Sequence, residues 1–392
     1  MKQNVFKLRK ERLNKDCSLQ LNFEVEKMNS GGIKVLIMAA GTGGHVFPAM
    51  SIAYRLMSKS VNVEWLGTPN GMENRLLNDT GIPLHHISVS GLRGTGLIRK
   101  MQAPIMLLRA FLQSISVILK VRPNCVLGMG GFICGPAGIA AKILRKPLLI
   151  HEQNAVAGLT NRLLSLVADQ VFEAYPNTFA RSVNAMFTGN PLRSQIMKIK
   201  REFEDDSEPD IRVLVLGGSQ GALKINSVIP ELFYEFQGSG NFQLLHQTGD
   251  KSFDETILKY KNLGIPLNQG CKVLPFIQEV SQAYAWADLV ISRSGASTVS
   301  ELAAVGLPSI LIPYPHHSDN QQLLNARWLV DEKGAILIPQ SDFNVQNLKD
   351  ILLPLMKDRG SLREMAVNAR RMGIRDAAEK IAALCIKAGH DD

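Results

Sequence analysis

Apolar residues along the chain fall into short continuous runs separated by longer stretches of helical spacing. Ile33 to Ala40 reads IKVLIMAA, a run suited to a strand covered on both faces. It leads into Gly41-Thr42-Gly43-Gly44-His45, and a helical pattern begins near Pro48, a residue favoured in a first helical turn. Ile211 to Leu216 repeats the arrangement, running into Gly217-Gly218-Ser219-Gln220-Gly221 and another helical stretch. Further strands are predicted over Val61 to Leu66, Cys125 to Leu127, Pro147 to His151 and Gln170 to Glu173, then over Phe242 to His246, Lys272 to Pro275, Asp288 to Ser292 and Ser309 to Pro313. The alternation predicts an α/β fold of two Rossmann-like doubly wound domains. Glu202 to Asp210, EFEDDSEPD, reads as a linker, and after Arg359 the pattern is helical with a break at Gly373. The expected division is an N-terminal extension over 1–32 without order, a first domain over 33–195 and a second over 196–375. A C-terminal helix over 376–392 is expected to pack back on the first domain.

The length of 392 residues fits two cores of roughly 150 to 200 residues each. A composition 45% hydrophobic and 20% charged predicts a folded chain. Cys17, Cys125, Cys134, Cys271 and Cys385 are scattered and lack CxxC or CxxH spacing, which argues against disulfides or zinc and suits a reducing cytoplasm. The N-terminus is basic but lacks the apolar core of a signal peptide. Met28, just before the first strand, is a candidate alternative start that would make residues 1–27 dispensable. Ala103 to Leu119 is interrupted by Arg109, Gln113, Ser114 and Ser116, a poor membrane span, so a soluble or peripheral protein is expected.

Charge changes this picture. The net +9 divides into +3 over residues 1–32, +10 over 33–195 and −4 over 196–392. No Asp or Glu occurs between Asp79 and Glu152, an interval that holds nine Lys and Arg. Such a one-sided field suits an anionic membrane, a polyanion or a phosphorylated substrate, and charge alone does not choose.

The loop at Gly41 to His45 lacks GxGxxG spacing, and the second strand ends at Gly67 without a ribose-binding acid, which disfavours NAD or FAD. Its glycines admit an anion to a helix N-terminus, although a ligand-free turn explains the same residues. His45 can titrate near neutral pH and serve as a base. Gly128-Met129-Gly130-Gly131-Phe132 makes a third glycine loop at a strand end, so a cleft between the domains is the expected site. His151-Glu152-Gln153-Asn154 opens like HExxH, but Ala155 breaks the zinc motif; these residues suit a sugar or pyrophosphate, or a hydrogen-bonded loop. No DxD follows an apolar strand, which weakens the case for a divalent metal.

In the second half, Ser292 to Glu301 joins a strand to a helix whose small residues leave N–H groups open to a phosphate. Thr298-x-x-Glu301 matches a capping box, the reading spacing favours, while the carboxylate could equally accept two ribose hydroxyls. Asp319-Asn320-Gln321-Gln322 opens a later helix, and His316 with His317 lacks metal-ligand spacing. Gly91 to Lys100, followed by Met101 to Leu119, mixes Leu92, Leu97, Ile98, Met101, Ile105 and Met106 with Arg93, Arg99, Lys100 and Arg109, an apolar wedge with a basic rim. An ordinary core helix would show similar residues, and the absence of nearby acids favours a membrane patch.

Gly41 to His45, Gly128 to Gly131, His151 to Asn154, Gly189-Asn-Pro-Leu-Arg193, Gly217 to Gly221, Ser294 to Glu301 and Asp319 to Gln322 occur in that order. Together they resemble the MurG family of peptidoglycan N-acetylglucosaminyltransferases, of the GT-B glycosyltransferase class, from residue 33 to about 388. The resemblance implies inverting transfer of GlcNAc from UDP-GlcNAc to the C4 hydroxyl of MurNAc in undecaprenyl-pyrophosphoryl-MurNAc-pentapeptide. By that resemblance the donor is contacted by Thr42, Gly43, Gly44, Asn154, Arg193, Ser219, Ile277, Ala296, Ser297, Thr298, Val299, Ser300, Glu301 and Gln322. Glu301 would hold the ribose, and Gly43, Gly44, Gly130 and Gly131 would receive the acceptor pyrophosphate. His45 is the candidate base and Glu152 the alternative. No cofactor, metal or nucleic acid is expected. The implied location is peripheral, on the cytoplasmic face of the inner membrane, at an anionic surface that also admits other cell-wall synthesis proteins as partners.

Overall fold

The computed structural model describes residues 32–90, 97–201, 210–217, 222–237, 242–316 and 319–391, with side chains omitted over 97–102. The extension over 1–31, the linker over 202–209, Leu92, Arg93, Ser219 and His317 lie outside the described residues, as do the side chains of Leu97, Ile98, Arg99, Lys100 and Met101. Two units result, one of residues 1–192 with 376–392 and one of residues 193–375.

The first unit carries β1 (Lys34–Met38), α1 (Gly43–Met57), β2 (Asn62–Gly67), α2 (Met72–Leu77), β3 (Leu84–His86), α3 (Leu97–Val121), β4 (Cys125–Gly128) and α4 (Cys134–Ile143). It continues with β5 (Leu148–Glu152), α5 (Leu159–Leu164), β6 (Gln170–Glu173) and β7 (Met186–Phe187). All its strand pairs are parallel, in the order β3-β2-β1-β4-β5-β6-β7. The alternation of β1 explains why its sequence is continuously apolar. Val35, Ile37 and Ala39 pack with Val46, Ile52 and Leu56 of α1 on one face. Leu36, Met38 and Ala40 pack with Ala110 and Ile118 of α3 and Ala137 of α4 on the other.

The second unit carries α6 (Ser194–Met197), β8 (Ile211–Leu216), α7 (Leu223–Phe236), β9 (Phe242–Gln247), α8 (Phe253–Asn262), β10 (Cys271–Leu274) and α9 (Val280–Trp286). Next come β11 (Leu289–Ser292), α10 (Ala296–Val305), β12 (Ser309–Leu311), α11 (Gln321–Val330), β13 (Ala335–Leu337), α12 (Val345–Lys357) and α13 (Arg359–Met372). Its strands, again parallel, follow the order β10-β9-β8-β11-β12-β13. In both sheets the strand order reverses beside the opening strand, between β1 and β4 and between β8 and β11. Open α/β sheets bind ligands outside the carboxyl ends of strands at such points.

Three details depart from the sequence reading. Helix α1 starts at Gly43, not near Pro48, because the N–H groups of His45 and Val46 already bond to the Thr42 carbonyl. Pro48 therefore lies in the second turn, where it cannot donate to the Gly44 carbonyl. The two- and three-residue strands β3, β7 and β13 were not anticipated, since such short edges carry no periodicity.

Helix α14 (Ala377–His390) belongs to the first unit, where Ile381, Leu384, Cys385 and Ile386 join the cluster of Val35 and Ile37. A Cβ on Gly389 would lie 2.9 Å from Ile33 Cγ2, so the helix seats directly on the start of β1. Ile381→Ala should destabilise the first unit by about 2–5 kcal/mol. The measurement is urea unfolding followed by Trp65 fluorescence, with Trp286 and Trp328 replaced by Phe; an unshifted midpoint would count against this docking.

Candidate active site

In the first unit three strand ends converge on His45. Gly41, at φ +102°, turns the chain from β1 into α1 and sets His45 in that helix's first turn. The β4 loop approaches so closely that a Cβ on Gly130 would lie 3.0 Å from His45 Cε1 and Nδ1. A Cβ on Gly131 would lie 3.1 Å from the Ala40 carbonyl oxygen. These two glycines, at φ +87° and +82°, let the loops nest without side chains between them. From the end of β5, Gln153 Oε1 reaches to 2.8 Å from His45 Nδ1.

Glu152 is buried and serves its own loop. Its Oε1 accepts from the N–H and Nδ2 of Asn154, and its Oε2 from the Gly158 N–H and Asn161 Nδ2, at 2.9–3.1 Å. Four donors account for the lone-pair directions of a carboxylate. His151 is fully buried, with Nε2 3.0 Å from the Gly189 carbonyl oxygen and Nδ1 2.9 Å from Gln153 Nε2. Burial penalises its charged form and pushes the imidazole pKa down to about 4.

In the second unit α10 begins after Gly295, which supplies no side-chain cap, and its first turn contains no acid. The capping box is therefore not formed. Thr298 is the third helical residue and Glu301 the sixth, too far along to cap the start. The Glu301 carboxylate turns elsewhere: Oε1 accepts from Arg193 Nη2 at 2.8 Å and Nε at 3.3 Å, and Oε2 accepts from the Tyr284 hydroxyl at 3.0 Å. Tyr284 is buried, which together with the adjacent carboxylate raises its pKa well above the ordinary phenol value. The Ser297 hydroxyl is buried with no hydrogen-bond partner among the described residues, as is that of Ser292 at the end of β11. An orphaned hydroxyl at a helix start is one that an anionic ligand can satisfy.

Gln322 joins this group through its backbone, which accepts from Ser294 Oγ at 2.7 Å, while its Oε1 accepts from the Tyr314 N–H at 2.9 Å. Ile277 lies beyond β10, its N–H donating to Gln247 Oε1 at 3.1 Å. It lines a cavity of about 740 Å³ with Leu244, Phe276, Gln282 and Trp286. The structure thus gathers Thr42, Gly43, Gly44, His45, Gly130, Gly131, Glu152 and Asn154 at the strand ends of one unit. Arg193, Ala296 to Glu301 and Gln322 gather in the other, with Ile277 at a separate strand end. Gln153 and Tyr284 had no assigned role in the sequence, because no spacing ties residue 153 to 45 or 284 to 301. Among the described residues no group of three His, Cys, Asp or Glu side chains is placed to hold a metal ion.

Exposed apolar residues form a second feature of the first unit. On α3, Ile105, Leu108, Leu112 and Leu119 share one exposed stripe, opposite the buried Ala103, Ala110, Ser114 and Ile118. Ile139 and Ile143 of α4 and Leu159, Leu163 and Leu166 on and after α5 are also exposed. Over Ala103–Val121 the helix reaches a mean hydropathy of 1.6 with 22% of the window buried, long and apolar enough by composition to cross a membrane. The exposed stripe includes Ile105, which the sequence pattern already placed in the wedge, and adds the exposed apolar residues of α4 and α5.

Comparison with known proteins supplies the family context. Residues 35–173 match the glycosyltransferase family 28 N-terminal domain, and residues 212–381 match its C-terminal domain. A protein of Shewanella sp. (strain MR-4), named UDP-N-acetylglucosamine--N-acetylmuramyl-(pentapeptide) pyrophosphoryl-undecaprenol N-acetylglucosamine transferase, is 43% identical over 92% of this chain and 98% of its own length. A protein of the same name from Stutzerimonas stutzeri (strain A1501) is 44% identical over 91% of this chain and 99% of its own. The crystal structure of Acinetobacter baumannii MurG superposes with a TM-score of 0.75 at 38% identity, covering 91% of this chain and 99% of that one.

The buried His151 makes stability depend on pH. Its folded-state pKa of about 4 lies below the ordinary 6.5, so the unfolded chain binds the proton more readily. The stabilisation is present above about pH 6.5 and is lost as pH falls toward 4, by about 3 kcal/mol in all. His246, pushed down to about 3 in the second unit, acts in the same direction. His151→Asn should flatten the His151 part of that slope in urea titrations between pH 7 and pH 4; an unchanged slope would refute the assignment.

Proposed function

The chain belongs to glycosyltransferase family 28, within the MurG group of N-acetylglucosaminyltransferases, and from that premise we propose how its residues divide the work. It transfers N-acetylglucosamine from UDP-N-acetylglucosamine to the lipid-linked N-acetylmuramoyl pentapeptide, the step from lipid I to lipid II in peptidoglycan synthesis. The observation that carries this function is 43% identity sustained over 92% of the chain, across both family domains.

In our reading the second unit holds the nucleotide. The uncapped start of α10, with the orphaned Ser297 hydroxyl, receives the diphosphate alongside Arg193 and Ser219, and the run from Ala296 to Ser300 wraps it. Glu301, oriented by Tyr284 and Arg193, retains lone-pair capacity for the ribose hydroxyls. Ile277, facing the cavity beyond β10, reads the base, and Gln322 supports the sugar end. Thr42, Gly43, Gly44 and Asn154 complete the donor contacts from the first unit, where Gly130 and Gly131 join Gly43 and Gly44 in receiving the acceptor pyrophosphate. Positive-φ glycines bring backbone close to such a group without side-chain obstruction.

The reaction is a single displacement. The acceptor C4 oxygen attacks C1 as the bond from C1 to the diphosphate breaks, with UDP taking the electron pair. Donors already aimed at that diphosphate stabilise the developing charge. His45 takes the acceptor proton; Glu152, with four hydrogen bonds to its own loop, is poorly placed for that task.

The acceptor's lipid carrier places the work at a membrane. The exposed apolar stripe of α3, with its neighbours on α4 and α5, supplies a surface for partial insertion beside the exposed Arg109, Lys120 and Arg162. We assign the enzyme to the cytoplasmic face of the inner membrane, bound peripherally to anionic lipid and open there to other cell-wall synthesis proteins.

His45→Ala should lower kcat by about 100-fold or more while leaving UDP affinity within about twofold. Glu301→Ala should instead raise KM for UDP-GlcNAc, and steady-state kinetics with labelled donor separates the two. Raising salt above about 150 mM should release the protein from anionic vesicles in a sedimentation assay while UDP binding changes little, because surface charge is screened over about 8 Å.

A further inference from the structure

We propose that Gln153 is a positioning residue that fixes His45 in the tautomer protonated on Nδ1, presenting the Nε2 lone pair to the acceptor hydroxyl through a hydrogen-bonded relay anchored at the Gly189 carbonyl. The inference rests on the reading of His45 as the base and adds a requirement to it: of the two neutral forms of that imidazole, only one can act.

The relay is deduced from its buried end outward. The Gly189 carbonyl oxygen accepts from the Thr188 hydroxyl at 3.1 Å and lies 3.0 Å from His151 Nε2. A carbonyl cannot donate, so His151 Nε2 bears a hydrogen. His151 is fully buried and held neutral at physiological pH, which leaves its Nδ1 as an acceptor. Gln153 Nε2 lies 2.9 Å from that Nδ1 and 3.2 Å from the His151 carbonyl oxygen. Both neighbours accept, so the atom between them must be the donating amide nitrogen. The Gln153 amide is thereby oriented with Oε1 toward His45, 2.8 Å from its Nδ1. Oε1 can only accept. His45 Nδ1 therefore carries the hydrogen, and in the neutral ring Nε2 is the lone pair.

The arrangement has little freedom. Gln153 is 1% exposed and His151 not at all, so water does not compete for their bonds. The β4 loop lies so near the His45 ring edge that a Cβ on Gly130 would stand 3.0 Å from it. When Nε2 takes the C4 hydroxyl proton, the new imidazolium keeps its Nδ1–H on Oε1, and that bond strengthens because its donor is now charged. The proton then leaves Nε2 for water once UDP has departed.

The test uses the full chain labelled with ¹⁵N-histidine, with ring resonances assigned by loss in His45→Ala and His151→Asn. At neutral pH the wild type should show His45 with a protonated Nδ1 and a bare Nε2, and His151 with the reverse. In Gln153→Leu, His45 should shift toward the Nε2–H form that free imidazoles favour. At the same time kcat should fall about 10- to 100-fold with KM for UDP-GlcNAc unchanged. A wild-type His45 protonated on Nε2 would overturn the relay whatever the role of His45, and that measurement needs no variant to fold. Loss of the tautomer in Gln153→Leu with kcat unchanged would instead overturn the base reading and the catalytic purpose of the relay with it. A fall in kcat without any change of tautomer would show that Gln153 acts by packing and would also overturn the proposal.

Discussion

A parallel sheet covered by helices on both faces leaves its polar chemistry one place to go, the carboxyl ends of the strands. Both sheets obey this constraint. Val35 and Leu36, or Val213 and Leu214, are sealed on opposite faces, and the first polar groups along those chains stand where the strands stop. Glycine is favoured there because two such ends, those of β1 and β4, meet beside one imidazole, where Gly130 has φ +87° and a Cβ would crowd the ring at 3.0 Å. The same confinement divides side chains whose types suggest reactivity: some, like Glu152, bond their own loop, while others, like the Ser297 hydroxyl, stay without a partner among the described residues.

Glu152 and His45 illustrate that division. Both sit at strand ends and both have the chemistry of a base, yet the carboxylate is consumed by four donors of its own loop and the imidazole keeps one nitrogen uncommitted to the relay. The second unit uses a related device. His246 on β9 is buried and neutral, its Nδ1 accepting from the Tyr260 hydroxyl and its Nε2 facing Asn226 Oδ1. Asn226 in turn lies against Gly217, where a Cβ would come within 3.3 Å of that oxygen. Each unit thus sets, one partner away from a strand-end glycine, Gly130 or Gly217, a buried histidine whose charge state is settled by burial.

Much of this was legible in the sequence. The long central strands announced themselves through continuous apolar runs, and the glycine clusters at Gly41 and Gly128 marked where strands give way to loops. The two-residue strand β7 did not, since Met186–Phe187 carries no period to read. Thr298 and Glu301 showed a capping pattern that the fold does not use, because the chain enters the helix at Gly295, three residues earlier than a cap at Thr298 requires. The partners that orient the site, Gln153 for His45 and Tyr284 for Glu301, are separated from them by 108 and 17 residues. Only the folded sheet brings such positions together. The apolar surface of α3 to α5 was foreshadowed by missing acids, but which face it occupied depended on which side of each helix the sheet had already buried.

Helix α14 gives the molecule a direction in time. Residues 377–390 complete the core around Val35 and Ile37, yet they are synthesised after the whole of the second unit. On the ribosome the second unit has all its residues before the first unit has its last helix, reversing the usual order in which N-terminal domains mature first. A nascent chain therefore holds an apolar groove open on its earliest sheet until synthesis reaches the final turns. The first unit's core is therefore closed by residues made only after the whole of the second unit.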